Sequence, residues 1–413
     1  MSIAQIAKKA KSASILLSAV KTDVKNTALA KIAEALKSRS AEIIAANQKD
    51  LRLAEKNKLA GPLLKRLKFD EGKIADTIAG IESLTQLDEG LNLYKVSCPI
   101  GVIGVVFESR PDALVQISTL CLKSGNAVLL KGGSEAANTN KILTKVIADA
   151  SVKANIPDGW IQLLETRQDV AEMLKMDEDI DLVIPRGSNE FVRYIMNHTN
   201  IPVLGHADGI CHVYVDAGAD IDMAVKISVD SKCQYVAVCN ATETLLVDSK
   251  IAKEFLPKVK AAFDAKNVEL RGDKNTRAFI KAKPATEKDW STEYLDYILS
   301  IKVVDGVDEA IEHINHYGSH HTDAIVTRDK AAAEKFLDLV DSAGVFWNCS
   351  TRFADGYRYG LGAEVGISTT KIHARGPVGL EGLLIYKWKL LGSGQIVADY
   401  ADGRKKFTHK KLV

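Results

Sequence analysis

The chain has 413 residues, with 55 basic and 53 acidic side chains and 46% hydrophobic residues. A chain of this length is too long to form a single ordinary hydrophobic core, so we expect a soluble globular protein of two or three domains. The near balance of charge argues against a nucleic-acid partner. No apolar run approaches the roughly 20 residues that a membrane-spanning helix needs.

The six cysteines form no C-x-x-C pair and have no histidine nearby at metal-ligand spacing. We therefore expect no metal site, no disulfide framework and a reduced, cytoplasmic setting. Residues 1–14 are basic and free of acids, as in transit peptides. Their apolar side chains lie at helical spacing, however, and we interpret them as amphipathic helix of the mature fold.

Helices are predicted up to about Leu87, and the segment Leu91–Cys98 then alternates as a strand does. Beyond it, buried strands are predicted to alternate with helices. The predicted strands are at 99–107, 127–131, 161–164 and 181–184. One helix is predicted to begin after Pro111, and three others span 135–151, 170–176 and 189–197. This order predicts βαβ units and a mainly parallel, doubly wound sheet.

A second set of α/β elements is predicted from about Ile221 to Thr370. It includes strands at 245–247, 300–304 and 323–327 and helices at 251–263 and 307–317. The segment Leu383–Leu391 and the polar tail to Val413 are predicted to be extended. No internal repeat or low-complexity linker separates the two sets, so we expect packed domains.

Cys239 is the candidate nucleophile. It follows a run of small and β-branched residues, precedes the amide of Asn240, and stands before the apolar run Leu245–Val247. A cysteine between elements is placed for attack, and a thiol needs only modest activation because its thiolate is intrinsically reactive. The alternative for a lone cysteine is a buried structural role.

Eight short strings, weak singly but spread over almost the whole chain, together resemble the aldehyde dehydrogenase superfamily and, within it, the γ-glutamyl phosphate reductases. They are Pro99-Ile-Gly-Val-Ile-Gly104, Phe107-Glu-Ser-Arg-Pro-Asp112, Ser124-Gly-Asn-Ala-Val-Leu-Leu-Lys131, Lys131-Gly-Gly-Ser-Glu135, Ile201-Pro-Val-Leu-Gly-His206, Val238-Cys-Asn-Ala241, Asn348-Cys-Ser-Thr-Arg-Phe353 and His373-Ala-Arg-Gly-Pro-Val-Gly-Leu380.

The resemblance implies an α/β, aldehyde-dehydrogenase-like fold with a doubly wound parallel-sheet cofactor domain, a second α/β catalytic domain and a small oligomerisation β-element. The expected domains are an NADP-binding domain at 1–225, interrupted by an oligomerisation strand near 90–103, a catalytic domain at 226–385 that carries Cys239, and an oligomerisation tail at 386–413. Because exposed strands invite pairing with another subunit, we expect a homodimer or homotetramer.

The resemblance also implies a reaction, the NADPH-dependent reduction of L-glutamyl 5-phosphate to L-glutamate 5-semialdehyde with release of phosphate, on the way to proline. Cys239 would form a thioester that hydride then reduces. Glutamate 5-kinase, which makes this labile substrate, is a possible transient partner. Two alternatives are a hydrolysing NAD(P)-dependent aldehyde dehydrogenase and a non-catalytic scaffold of the same fold.

Two departures from the superfamily pattern concern the chemistry. The superfamily's amide oxyanion donor, two residues before the proline matched by Pro111, is replaced by Ser109. The backbone N–H of Cys239 is one candidate donor to the oxyanion, and the second donor is then either the Ser109 hydroxyl or Asn240. The glutamate that activates the deacylating water is also absent, and Asp208 lies in the corresponding region. Asp208 forms the turn or acts as a base.

No G-x-G-x-x-G follows the first strand, so the resemblance assigns the cofactor differently. Gly187 and Ser188 open a helix whose amides can hold pyrophosphate. Lys131, Gly133 and Ser134 follow a strand at the carboxyl edge of the sheet. Ser134 replaces a glutamate of NAD-using relatives and tolerates a 2′-phosphate, which predicts NADP over NAD. By the same resemblance, Glu364 is expected on the nicotinamide-side ribose.

The implied substrate is anionic, and guanidinium groups suit carboxylate and phosphate. The expected substrate-binding residues are Arg110, Arg352, Ser350, Thr351 and His206. Arg375 lies in a matched string as well. His206, His321 and His373 invite acid–base roles, although each alone fits a structural role.

Overall fold

The computed structural model describes residues 31–32, 34–56, 58, 70–72, 74–75, 88–89, 92–107, 111–154, 156–187, 189–205, 208–361, 364–371, 374–405 and 408–410. The chain divides into two compact units, one of residues 97–387 and one of residues 1–96 with 388–413.

The elements of the described residues are numbered in chain order. The strands are β1 (Asp88–Glu89), β2 (Asn92–Pro99), β3 (Val102–Phe107), β4 (Ala127–Lys131), β5 (Ile161–Leu163), β6 (Leu182–Arg186), β7 (Cys211–Val215), β8 (Thr242–Asp248), β9 (Glu269–Gly272), β10 (Lys283–Pro284), β11 (Ile298–Val304), β12 (Thr322–Val326), β13 (Gly344–Trp347), β14 (Gly366–Ser368), β15 (Gly376–Val378), β16 (Leu384–Leu391) and β17 (Thr408–Lys410). The α-helices are α1 (Ser40–Lys56), α2 (Pro111–Ser124), α3 (Ala137–Lys153), α4 (Arg167–Met173), α5 (Asn189–Asn197), α6 (Ile221–Cys233), α7 (Ser249–Asp264), α8 (Thr276–Phe279), α9 (Val307–Tyr317), α10 (Lys330–Leu339) and α11 (Val397–Ala401).

The unit of residues 97–387 contains a four-stranded parallel sheet in the order β5-β4-β3-β6. Its central strand β3 is an apolar run that is buried along almost its whole length, as expected of a parallel strand covered on both faces. Helix α2 buries Leu114, Ile117 and Cys121 in the same core as the strands. The carboxyl ends of β4 and β6, at Lys131 and Arg186, point to the same edge.

The same unit contains a seven-stranded parallel sheet in the order β10-β9-β11-β8-β7-β12-β13. The three neighbouring strands β8, β7 and β12 are buried at every position. Helix α7 packs Phe255, Leu256 and Val259 against the sheet, while Ile314 and Phe336 belong to a second buried cluster with Tyr214 and Leu246. A sheet covered on both faces fixes the ends of its central strands, and those ends position the site.

Several helices begin where the sequence supplies a capping side chain. Thr166 forms a reciprocal capping box with Asp169 at the start of α4. Asp248 caps α7 and Asp329 caps α10 through their carboxylate oxygens. Each cap is the last residue of a strand or lies in the following loop, so the turn from strand to helix is encoded locally.

The unit of residues 1–96 and 388–413 is described in part. Helix α1 is its longest described element, and β1 pairs antiparallel with β17. Strands β2 and β16, which lie only partly in this unit, form a two-stranded sheet, and β16 exposes seven of its eight side chains. The helix predicted at residues 1–14 lies outside the described residues.

The predicted elements agree closely with the structure, and the helices predicted at 189–197 and 307–317 have those bounds. The prediction of an extended C-terminal tail was wrong for Val397–Ala401, which form the short helix α11. Strand β7 lies before the predicted domain boundary at residue 225 and already belongs to the seven-stranded sheet. The division into domains remains a prediction.

Within the part of the chain that the structure describes, no helix combines the length and the apolar character needed to cross a membrane. In those same residues, no cluster of three or more histidine, cysteine or acidic side chains is arranged to hold a metal ion.

Candidate active site

Three segments that precede neighbouring parallel strands meet at one edge of the seven-stranded sheet. Cys239 lies in the turn before β8, Cys211 opens β7, and His321 immediately precedes β12. Because β8, β7 and β12 are adjacent and parallel, their amino-terminal ends lie side by side. The candidate nucleophile therefore lies at the edge of a buried sheet, between α6 and β8, and its role as the nucleophile remains a prediction.

The half-buried Cys239 is contacted from both neighbouring strands. His321 Nε2 lies 3.2 Å from Cys239 Sγ, and His321 Nδ1 lies 2.9 Å from the Thr322 hydroxyl oxygen. The Cys211 thiol donates to the Cys239 carbonyl oxygen across 3.2 Å. The side-chain and main-chain positions of Cys239 are thus both fixed.

The electrostatic surroundings hold the Cys239 thiol in its protonated form. Its pKa is raised to about 12, mainly by burial and then by the carboxylates of Glu293 and Glu364, while Arg186 acts in the opposite direction. A thiol with this pKa is neutral at pH 7, so it needs a base at the moment of attack.

Arg352 lies close enough to Cys239 to interact with its charge. Burial and the neighbouring Arg358 lower the pKa of Arg352, and an ionised Cys239 raises it. The Arg352 Nε donates to Gln234 Oε1 across 2.9 Å, which fixes the side chain. A guanidinium within reach of the nucleophile suits an anionic group of a substrate.

Ser350 and Thr351 are buried and connect the Arg352 segment to the cysteine turn. The Ser350 Oγ accepts from the backbone N–H of Arg352 across 3.2 Å. The Thr351 hydroxyl donates to the Asn240 carbonyl oxygen across 2.7 Å. These contacts position Arg352, and direct binding of substrate by either hydroxyl remains a prediction.

Asn240 is buried beside Cys239 and directs its amide away from solvent. Its Nδ2 donates to the Ala354 carbonyl oxygen across 2.8 Å, and its Oδ1 has no hydrogen-bond partner among the described residues. The amide therefore helps to fix the turn, and its predicted role as an oxyanion donor remains a prediction.

A cavity of about 820 Å³ lies at the carboxyl edge of the four-stranded sheet, where the sequence placed the cofactor. Its lining includes Lys131 at the end of β4, followed by Gly133 and Ser134, and Arg167 at the start of α4. Lys131 Nζ donates to the Gly132 carbonyl oxygen across 2.5 Å. Apolar side chains line the opposite part, including Val170 and Leu174. The cavity thus combines two cations with an apolar wall, which suits a phosphorylated nucleoside, and the carboxylates of Glu135 and Glu165 also line it.

Gly187 lies between β6 and α5, so the predicted helix opening is present. Asn189, the first residue of α5, donates through Nδ2 to Asp208 Oδ1 across 2.8 Å and to Glu293 Oε2 across 2.7 Å. The other oxygen of Asp208 accepts from Arg193. Both oxygens of Asp208 are therefore engaged, which favours a structural role over a base.

The other predicted residues are distributed as follows. Glu364 accepts from the backbone N–H of Gly356 across 2.7 Å and lies within charge range of Cys239. Arg375 is paired with Asp341 at 3.1 Å, which explains it as a structural residue. Five predicted residues lie outside the described residues: Ser109, Arg110, Ser188, His206 and His373.

Comparison with known proteins decides the family. The sequence profile described as the aldehyde dehydrogenase family matches residues 1–283. A γ-glutamyl phosphate reductase of Ruminiclostridium cellulolyticum is 64% identical over 425 residues, which cover 100% of this chain and 98% of the relative. The crystal structure of the γ-glutamyl phosphate reductase of Thermotoga maritima is 40% identical with a TM-score of 0.73, and the match covers 92% of this chain and 99% of that chain.

The chain belongs to the γ-glutamyl phosphate reductase family. The resemblance inferred from the eight strings is confirmed, as is the aldehyde-dehydrogenase-like α/β fold of this reductase family. An engineered glycolyl-CoA reductase with bound NADP⁺ is 14% identical with a TM-score of 0.54, covers 94% of this chain and 96% of its own, and shares the fold alone.

In this member of the γ-glutamyl phosphate reductase family, the structure brings four further residues to the site. His321 contacts the thiol, although sequence analysis also allowed it a structural role. Arg186 and Glu293 act on the charge of Cys239, and Arg167 lines the cavity. Arg186 ends a parallel strand directly before Gly187, which is the one signal in the sequence that could have identified it. Glu293 lies in a loop without any such signal.

Proposed function

We propose that the chain reduces L-glutamyl 5-phosphate to L-glutamate 5-semialdehyde with NADPH and releases phosphate, a step of proline biosynthesis. The observation that carries this proposal is the Cys239 thiol, 3.2 Å from His321 Nε2 and within charge range of two arginines, in a chain 64% identical to a relative of that name. An acyl phosphate, NADPH and a proton are converted to an aldehyde, inorganic phosphate and NADP⁺.

Cys239 would carry the acyl group. Its sulfur attacks the acyl carbon, the bond from carbon to the phosphate oxygen breaks, and a thioester remains on Cys239. NADPH, when bound, would supply the hydride that reduces this thioester. The oxyanion that forms at each addition is stabilised by the Cys239 backbone N–H, with the Ser109 hydroxyl or the Asn240 amide as the second donor. Collapse of the hemithioacetal then releases the aldehyde and returns the cysteine.

The surroundings of Asp208 support a reductase rather than a hydrolysing aldehyde dehydrogenase. A hydrolytic enzyme needs a carboxylate that activates water against the thioester. Asp208 instead accepts hydrogen bonds from Asn189 and Arg193 through its two oxygens. With both oxygens engaged, Asp208 is not free to activate water against the thioester.

The cavity beside β4 supports NADPH as the reductant. Lys131 and Arg167 supply two cations, and Ser134 supplies a hydroxyl where a carboxylate would repel a 2′-phosphate. Gly133 and the helix start at Gly187 and Ser188 would meet the pyrophosphate. The glycolyl-CoA reductase of the same fold contains bound NADP⁺.

The anionic substrate would be bound by Arg110 and Arg352, with His206, Ser350 and Thr351 as further donors. Among these residues, Arg352 is described by the structure and lies close enough to Cys239 for their charges to interact. Arg186 is a second cation near the thiol. Glu364 would hold the nicotinamide-side ribose, because it lies near Cys239 and is fixed by Gly356.

The proposal extends to assembly and setting. The exposed strand β16, with Tyr386, Trp388 and Leu390 among its exposed side chains, supports a homodimer or homotetramer in which residues 386–413 and the strand near 90–103 contact a partner subunit. Glutamate 5-kinase is a candidate transient partner. The six cysteines are free thiols, which supports a reducing, cytoplasmic setting.

The reverse reaction tests the proposal. Glutamate 5-semialdehyde and NADP⁺ are supplied with and without inorganic phosphate, and reduced cofactor is followed by absorbance. We expect a strict dependence on phosphate and loss of the reaction in Cys239→Ala. The control Cys233→Ala, which removes the thiol six residues earlier in the sequence, should retain the reaction. Equal rates without phosphate would assign the chain to the hydrolysing aldehyde dehydrogenases. Absence of both the reaction and NADPH binding would favour the scaffold.

A further inference from the structure

We propose that His321 accepts the proton of the Cys239 thiol and is therefore a second catalytic residue of this site. The inference rests on the proposed function, because it assigns a proton path to the thiol attack. It stands on the contact between His321 Nε2 and Cys239 Sγ at 3.2 Å and on the way the imidazole is held.

The imidazole of His321 is fixed at both ring nitrogens and through its main chain. The Thr322 hydroxyl lies 2.9 Å from Nδ1 and can accept a hydrogen bond from a proton carried there. We assign the proton of the neutral imidazole to Nδ1, which leaves the lone pair of Nε2 facing the thiol. The His321 carbonyl oxygen accepts from the backbone N–H of Gly344 across 2.9 Å. The ring is 1% exposed, and a buried ring held at these points keeps one orientation.

A second buried histidine, His212, lies nearby in β7 but is engaged elsewhere. Cys211 contacts the Cys239 carbonyl oxygen, whereas the Nδ1 of the next residue, His212, is 2.8 Å from Asp323 Oδ1. His212 is therefore committed to a structural pair, and His321 is the histidine whose ring nitrogen contacts the thiol.

The charged groups around the thiol make a base necessary. Glu293 and Glu364 disfavour the thiolate, whereas Arg186 favours it and Arg352 lies within its charge range. The Cys211 thiol is directed at a carbonyl oxygen. Since burial is the largest of these influences and acts against ionisation, proton transfer to an adjacent nitrogen lets sulfur attack without a free buried thiolate.

The proton balance closes over the reaction. When sulfur bonds to the acyl carbon, the thiol proton moves to His321 Nε2 and gives an imidazolium. As the bond from carbon to the phosphate oxygen breaks, that oxygen leaves with the electron pair and takes the proton from Nε2. After the aldehyde is released, the thiolate left on Cys239 is protonated through His321 from solvent, which accounts for the one proton consumed per turnover.

The test compares His321→Gln with His316→Gln. Glutamine retains a hydrogen-bonding group near Nε2 but does not titrate, and His316 is an exposed histidine on α9. We expect His321→Gln to lower kcat at pH 7 by about 100-fold or more, the usual effect of losing a general base, with little change in KM. The deficit shrinks as pH rises, because the thiol then ionises without help. His316→Gln keeps the wild-type profile.

Alkylation by iodoacetamide, followed by mass spectrometry at Cys239, measures the same proton transfer without substrate. We expect the rate at pH 7 to fall about tenfold or more in His321→Gln, and this deficit to shrink as the pH rises toward the pKa of the thiol, about 12. A wild-type profile in His321→Gln would overturn the inference, and so would a deficit of equal size at every pH, which indicates a structural role.

A third measurement needs no change at His321. In protein with ¹³C-labelled histidine, blocking Cys239 with iodoacetamide is expected to shift the titration midpoint of His321, and an unchanged midpoint would overturn the inference. Failure of the proposed function is recognised separately, because the wild-type protein would then show equal rates with and without phosphate, or no reaction. Failure of the inference leaves Cys239→Ala inactive and His321→Gln active.

Discussion

Gly209 lies against the main chain of Cys239 so closely that no side chain fits between them. A Cβ on Gly209 would stand 2.2 Å from the Cys239 carbonyl oxygen and 2.4 Å from its Cα. The obstacle is backbone, which cannot rotate aside as a flexible side chain can. Gly209, two residues before β7, therefore sets the distance between the cysteine turn and the neighbouring strand.

Gly209→Ala is expected to displace Cys239 and to lower kcat by about 100-fold, because a shift of about 1 Å at a reacting atom costs that much. The overpacking should also reduce the free energy of unfolding by about 1–3 kcal/mol. Gly205→Ala is the matched control, since its nearest contacts would be ordinary ones at 3.5 and 3.6 Å with Pro185. Steady-state kinetics and thermal unfolding of both variants check this, and equal kcat values would contradict it.

Most of the fold could be predicted because each element carries its own pattern. The apolar run at β3 and the periodic segment at α9 are recognised from a few neighbouring residues. The bounds of α4 were missed because its cap, Thr166 with Asp169, precedes the apolar positions on which the prediction depended. Strand β7 was not predicted, although its five buried residues follow directly after Gly209 and Ile210.

The site could be predicted only where the sequence itself holds the signal. Cys239 could be singled out as a candidate because its position between elements is a local feature. His321 and Glu293 lie 82 and 54 residues further along the chain, and the strand order β8-β7-β12 brings the histidine to the thiol. Strand order depends on packing across the whole sheet, so no window of sequence contains it. The resemblance to a family predicted a cofactor site at the carboxyl edge of β4, which remains a prediction, and the structure adds Arg167 to the lining of the cavity there.

Arg167→Ala is expected to weaken NADPH binding without a matching loss for NADH. Arg167 lines the cavity with Lys131 and Ser134, and a charge-assisted contact to a 2′-phosphate is lost only for NADPH. We expect KM for NADPH to rise about tenfold, which corresponds to about 1.4 kcal/mol, while KM for NADH stays nearly constant. Gln168→Ala, on the next residue of α4, is the control. An equal rise for both cofactors in Arg167→Ala would show that Arg167 does not recognise the 2′-phosphate.

Lys232→Met is expected to destabilise the protein more at pH 7.5 than at pH 5. Lys232 and Glu243 form a fully buried pair at 2.5 Å, and loss of the lysine leaves a buried carboxylate, which costs about 3–5 kcal/mol. Burial raises the pKa of Glu243 to about 7 even with Lys232 opposing it. Because the pKa of Glu243 in the folded protein lies above its ordinary value of 4.5, folding favours the protonated form. The stabilisation from this protonated carboxyl is complete below about pH 4.5 and is lost as the pH rises through 7.

Denaturant unfolding at the two pH values measures this difference. The variant's deficit should shrink at pH 5, where Glu243 carries its proton. The double variant Lys232→Met with Glu243→Leu is the matched control, because replacement of both partners by apolar groups of similar size removes the unpaired charge and restores much of the stability. A deficit independent of pH would mean that packing, rather than charge, is lost in Lys232→Met.

Glu293→Gln is expected to make Cys239 more reactive at mildly alkaline pH. The Glu293 carboxylate is the largest charged influence that raises the pKa of the thiol, so its neutralisation lowers that pKa and shifts the alkylation profile of Cys239 toward lower pH. Glutamine still accepts a hydrogen bond from Asn189, whose Nδ2 lies 2.7 Å from Glu293 Oε2, which preserves the local structure. Glu334→Gln removes an exposed carboxylate on α10 and should leave the profile unchanged. Removal of a negative charge can only lower the pKa of the thiol, so the electrostatic effect predicts faster alkylation. A slower alkylation in Glu293→Gln would mean that Glu293 acts on Cys239 by positioning the turn, through its hydrogen bond to Asn189 at the start of α5, and not through its charge.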